Sequence, residues 1–109
     1  MKQINLTTSN LGTLFSTVRN ECLSNDMGDG AYEVTHYRES YPDESVLAFS
    51  TFLVKDDTEP EFIHSVLNEV LPDEAKNEDH LIFTSDFETL ELHYNDSTIT
   101  LIYHHTGEF

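Results

Sequence analysis

Sixteen excess negative charges run the length of this 109-residue chain, and any fold must keep nearly all of them in water. An unpaired carboxylate is too costly to bury in ionised form, and like charges on a compact body repel one another. Solubility alone asks for a net charge of roughly 2 to 8 on a small domain. The acids do not form a tail. They fall as Glu21, Asp26, Asp29 and Glu33, then Glu39, Asp43 and Glu44, then Asp56, Asp57, Glu59 and Glu61. Glu69, Asp73, Glu74, Glu78 and Asp79 follow, then Asp86, Glu88, Glu91 and Asp96, and finally Glu108. A disordered acidic arm would carry a run of like charges. Here apolar residues make up 38% of the chain and recur at helix and strand spacing, so the charge decorates a folded scaffold.

The length suits one domain, residues 1–109, with a single core. The spacing predicts a helix over 9–24, capped by Ser9, with Leu11, Leu14, Phe15, Val18 and Cys22 on one stripe. Residues 24–30 read as a loop. Tyr32, Val34 and His36 alternate with polar residues and predict a strand over 31–38, followed by a turn at 41–44 and a mostly apolar strand over 45–54. The second helix is predicted over 58–71. Thr58 and Glu61 have capping-box spacing, Pro60 falls in the first turn, and Pro72 stops the helix. Its apolar stripe is Phe62, Ile63, Val66, Leu67, Val70 and Leu71.

A short strand is expected over 80–84. A hairpin follows, turning at Asn95-Asp96 and pairing Leu92 with Ile99 and Leu90 with Leu101. A further short strand at 2–6 would extend the sheet. The expected architecture is α+β: a single domain with an antiparallel sheet of about four to five strands and two helices packed on one face.

Several function classes are disfavoured by composition. The start of the chain lacks the apolar run of a signal peptide, and no segment approaches the ~18 apolar residues of a membrane span. The single Cys22 cannot form an internal disulfide and falls on the apolar stripe of the first helix. The default address is cytoplasmic. Anionic membranes and nucleic acid would both repel the chain, so neither is expected as a direct partner.

Catalytic signatures are missing. There is no Gly-rich phosphate loop, nucleophile elbow or Cys-x-x-Cys pair, and no enzyme, cofactor or metal is expected. Residues 25–30 resemble a calcium loop only until Met27 and His36 occupy positions that require oxygen ligands. The grouping with most metal-binding character among the six His residues is Glu91, His93 and His104 on the hairpin. Those side chains read as polar residues of an exposed sheet face, alternating with Thr89, Thr98 and Thr100.

The acids bracketing the second helix are the expected partner-binding surface: Asp56, Asp57, Glu59 and Glu61 at its start, Glu69, Asp73, Glu74, Glu78 and Asp79 at its end. Acids at a helix N-terminus favour its dipole, whereas those at the C-terminus oppose it and gain nothing from the helix. A helix over 58–71 would hold the two clusters about 20 Å apart. Duplex nucleic acid carries one charge per ~1.7 Å, and spaced carboxylates can occupy the basic cleft that binds it. The expectation is an acidic inhibitor of the nucleic-acid-mimic type, such as an anti-CRISPR, anti-restriction or glycosylase-inhibitor protein of a phage or mobile element. Its partner would be a basic nucleic-acid-binding protein or nuclease. Two alternatives stand beside it: an immunity protein that neutralises a nuclease toxin, and a small acidic adaptor domain that binds through an apolar or sheet-edge surface.

Overall fold

A computed structural model describes residues 2–5, 10–95 and 97–106. In chain order the elements are β1 (Lys2–Asn5), α1 (Leu11–Leu23), the single turn α2 (Asn25–Gly28), β2 (Ala31–Ser40) and β3 (Val46–Val54). Then come α3 (Pro60–Asn68), a 3₁₀ turn (Asp73–Ala75), β4 (His80–Thr84), β5 (Glu88–Tyr94) and β6 (Thr98–His105). The α+β class is as expected, with one correction to the sheet. It has six strands in the order β1-β4-β5-β6-β3-β2, and β1 runs parallel to β4. β1 pairs with what would otherwise be an open edge of β4, placing Lys2 beside Leu81 and burying Ile4. Segments so distant in sequence give no local sign of pairing.

One face of the sheet is dry. Phe52, Leu81, Phe83, Leu90, Leu92, Ile99 and Leu101 project from it and are essentially inaccessible. They meet Leu11 and Val18 of α1 and Ile63 and Leu67 of α3 in one cluster. Phe15 of α1 touches Tyr103, and His64 of α3 meets the ring of Tyr94 edge-on, so the helices cover opposite ends of the same face. Among the described residues, no helix packs on the other face.

The β5–β6 hairpin buries the two apolar sets that its alternation marks, but two residues out of the expected register. Tyr94 pairs with Ile99, Leu92 with Leu101 and Leu90 with Tyr103. Asn95 is the cause. Its N–H donates to the Thr98 carbonyl at 3.0 Å, and its Oδ1 accepts from the N–H groups of Ser97 (2.8 Å) and Thr98 (2.9 Å). Asn95 thus flanks the turn instead of forming its first corner. A slip of two leaves every side chain on its own face, because the strand period is two.

Three local expectations are corrected. Ser9 lies outside the described residues, and α1 starts at Leu11 with Asn10 as cap, its Oδ1 accepting from the Thr13 N–H at 3.0 Å. Residues 24–30 are not all loop, since α2 makes one helical turn that buries Met27. The capping box of the second helix does not form. α3 begins at Pro60 with Glu59 at the N-cap position, where its side chain makes no capping bond, while Thr58 Oγ1 donates to the Gly30 carbonyl at 3.1 Å. Thr58 therefore ties the approach to α3 onto the start of β2.

β2 departs most from its expected pattern. It is an edge strand in which Ala31 alone is buried, while Tyr32 and Val34 are exposed. A bulge between Glu33 and Thr35 sets Val34 aside. The extra residue puts both Glu33 and His36 on the helix side, three positions apart. There Glu33 binds Arg19 of α1 through two bonds of 2.7 and 2.8 Å, and His36 Nδ1 lies 2.7 Å from the buried Ser50 hydroxyl.

Candidate functional site

The nine carboxylates expected to form a partner surface are on the outside of the molecule, with Glu78 half-exposed and the rest exposed. Their internal partners are few. Asp73 pairs with Lys76 at 2.9 Å, Asp79 with His64 at 2.9 Å, and Glu78 with Lys2 at 3.9 Å. Among the described residues, no cation pairs with Asp56, Asp57, Glu59, Glu61, Glu69 or Glu74. The Lys76 hydrogen bond and charge hold the Asp73 carboxyl below its ordinary value. Lys55, nearest the first cluster in sequence, gives its ammonium to the Gly28 carbonyl at 2.9 Å instead.

The shortened helix changes the geometry of the two clusters. α3 has nine residues, so its ends are about 13 Å apart and not 20 Å. Glu69 is its C-cap residue, where a negative charge still opposes the dipole. Asp73 and Glu74 belong instead to the first turn of the 3₁₀ segment, so the dipole argument no longer applies to them.

Among the described residues, two further acids hold internal partners that tie helix to sheet. Glu33 is committed to Arg19. Glu88 closes the start of α1, one oxygen accepting from the Leu11 N–H at 3.1 Å and the other from the Tyr103 hydroxyl at 2.6 Å. The Cys22 thiol is buried, and burial followed by the charges of Glu21 and Glu33 pushes its pKa up to about 12. That removes it as a nucleophile at neutral pH.

Two adjoining depressions, of about 220 and 390 Å³, lie between α1 and the β2–β3–β6 sheet with Arg38 lining both. Arg38 has no carboxylate partner among the described residues, and its neighbours there include Ser16, Asn20, His36 and Tyr103. His36, at the edge of the first depression, holds the Ser50 hydroxyl at 2.7 Å, and that hydroxyl is itself fully buried.

The uncovered sheet face carries the groups that sequence reasoning placed least well. Glu91 and His93 share it as anticipated, but His104 does not join them: it stands beside Thr89, whereas His93 stands beside Thr100. The third member is His80, directly across from His93 on β4. The signal that could have found it is the alternation of residues 80–84 against 90–94, which puts His80 and His93 on one face once β4 and β5 are paired. Farther along the face, Tyr37 stacks on Phe49 at a ring distance of 5.5 Å, and Ile102 is the neighbour of Phe49 on β6.

Among the described residues no helix is long and apolar enough to cross a membrane. Compared with known proteins, the chain matches no family model, no curated sequence and no solved structure.

Proposed function

We propose that this chain is an acidic inhibitor that occupies the basic nucleic-acid-binding site of a partner protein, with carboxylates standing where phosphates would lie. One observation carries the reading: six carboxylates around α3 stand exposed without a cation partner among the described residues, although the chain pays for that crowding in self-repulsion. Between residues 56 and 79 there are nine acids and one lysine, Lys76. Arg is the natural complement, since its planar fork takes a carboxylate through two bonds. Association would be electrostatically steered and weakened by salt. Counter-defence inhibitors and nuclease immunity proteins share this chemistry.

The test is capture of partners from host lysate on the immobilised protein. Nucleic-acid-binding proteins should be retained at about 50 mM NaCl and released by about 500 mM, where the Debye length falls from roughly 14 to 4 Å. Excess duplex DNA or RNA should displace them. Partners that resist both treatments overturn the mimic reading.

The second reading, an adaptor that binds through an apolar or sheet-edge surface, is favoured by β2. This ten-residue edge strand is exposed along most of its length and carries Tyr32, Val34 and Tyr37 on its surface. Strand addition to such an edge relies on main-chain hydrogen bonds and would hardly respond to salt.

A further inference from the structure

We propose that His80, Glu91 and His93 form a binding site for a divalent first-row transition-metal ion of the zinc type. The site follows from strand pairing. β4 and β5 run antiparallel with His80 opposite His93, and Glu91 lies two residues from His93 and so on the same face. One ligand atom from each of the three side chains lies within 4.8 Å of the other two. His80 Nε2 and Glu91 Oε2 are 3.7 Å apart, and His93 Nε2 contacts the same carboxylate. A tetrahedral ion about 2.0–2.1 Å from its ligands keeps them roughly 3.4 Å from one another.

A second observation points to a missing ligand. His80 Nε2 is shielded from solvent and has no hydrogen-bond partner, the one such side-chain atom among the described residues. Buried polar groups are ordinarily satisfied, and a shielded nitrogen without a hydrogen bond is destabilising. A hydrogen bond between His93 and Glu91 accounts for two members of the cluster and leaves His80 without a hydrogen bond of its own, its Nε2 3.7 Å from the same carboxylate and its ring centroid 3.8 Å from that of His93. A shared cation accounts for all three.

The donor set selects the ion. Two imidazole nitrogens and one carboxylate suit Zn²⁺ and its neighbours Co²⁺, Ni²⁺ and Cu²⁺, whereas Mg²⁺ and Ca²⁺ prefer oxygen. Both strands are interior to the sheet, β4 held between β1 and β5, and β5 between β4 and β6. The ligands are therefore fixed by paired backbone and not by a loop. The strand register sets Ile82 and Ile102 on either side of Glu91, which lowers the local polarity and favours charge neutralisation of the carboxylate. Among the described residues no helix covers this face, so a fourth coordination position would open outward to water or to a donor from another molecule.

The experiment is calorimetric titration of the intact protein with Zn²⁺ in excess Mg²⁺, which occupies nonspecific carboxylate sites. One ion per chain should bind. His80→Gln, Glu91→Gln and His93→Gln should each weaken binding at least about tenfold, and His104→Gln should leave it unchanged. Circular dichroism would confirm that each variant is folded. A variant-free measurement backs these: in the wild-type protein, Zn²⁺ should shift the imidazole nitrogen resonances of His80 and His93, and Co²⁺ should give visible absorption from nitrogen coordination. The assignment is overturned by an absence of saturable Zn²⁺ uptake, by uptake indifferent to all three substitutions, or by shifts at His36, His64, His104 or His105 in place of His80 and His93.

Discussion

Glu88 accepts a 2.6 Å hydrogen bond from the Tyr103 hydroxyl, and this pair joins the start of α1 to the centre of the sheet. The same carboxylate accepts from the Leu11 N–H, so its charge lies at the positive end of the helix. Burial raises the Glu88 pKa, but hydrogen bonds from Tyr103, Leu11 and Gly12 and the charge of His105 outweigh it, and the net shift is downward. A carboxyl with a depressed folded-state pKa stabilises the fold above its unfolded value of about 4.3 and loses that contribution as pH falls through the folded value. Glu88→Gln should therefore cost about 1–2 kcal/mol at neutral pH. The gap from wild type should close below about pH 4.5, as read by urea unfolding across pH. A gap that persists unchanged to about pH 3 would assign the cost to packing instead of charge.

The β2–β3 connection contains a removable strain. Glu44 has φ of 69°, in the left-handed region, at the end of a tight turn closed by its N–H on the Tyr41 carbonyl at 2.9 Å. This is the position that three-residue hairpin loops usually give to glycine. Glu44→Gly should raise stability by about 0.5–1 kcal/mol, seen as a higher urea midpoint. Glu44→Val should lower it.

Gly30 is needed for space and not for backbone freedom. A Cβ there would lie 2.8 Å from Phe62 Cε2 and 3.0 Å from Thr58 Cγ2, so the residue lets α3 close onto the start of β2. Gly30→Ala should destabilise by about 1–3 kcal/mol. Adding Phe62→Leu should recover part of the loss, because it removes the ring that the methyl group meets. An Ala variant as stable as wild type would mean that Phe62 can swing away freely.

Periodicity made the faces of this protein legible but not its pairings. Leu90, Leu92 and Tyr94 against Ile99, Leu101 and Tyr103 gave the buried side of the hairpin correctly, while the register depended on which backbone groups Asn95 captures. The parallel pairing of β1 with β4 joins segments separated by most of the chain, beyond the reach of any local pattern. The same limit hid His80, which has no metal-ligand spacing relative to Glu91 and His93 until β4 lies beside β5. On β2 the alternation of Tyr32, Val34 and His36 identified a strand, but the bulge at Val34 reversed the facing of its first half. Exposure of the acids was the most direct inference, since ionised groups have few places to be other than in water.

Charge repulsion gives a prediction for the whole molecule. With a net charge of −16 and few internal ion pairs, screening should stabilise the fold. The melting temperature should climb as NaCl rises to about 0.5 M, where the Debye length is roughly 4 Å. A flat response would show that the spacing of the carboxylates already limits their repulsion, and would remove the cost on which the partner argument depends.

The partner surface is best tested at Glu69 and Glu74. Both are exposed, neither has a cation partner among the described residues, and Glu69 opposes the dipole of the helix that it ends. Asp73 is a poorer choice, since replacing it would strand Lys76. The double substitution Glu69→Gln and Glu74→Gln keeps shape and removes two charges. The fold should be unchanged or slightly firmer, because no internal pair is broken and some repulsion is relieved. If these carboxylates meet desolvated arginines, each loss costs about 2–5 kcal/mol, mostly as faster dissociation. Contacts at a wet rim would cost under about 1 kcal/mol. Dissociation rates of wild type and double variant from a captured partner, measured side by side at low salt, separate these cases. Equal rates would show that this end of α3 lies outside the interface and would move the search to Asp56, Asp57, Glu59 and Glu61.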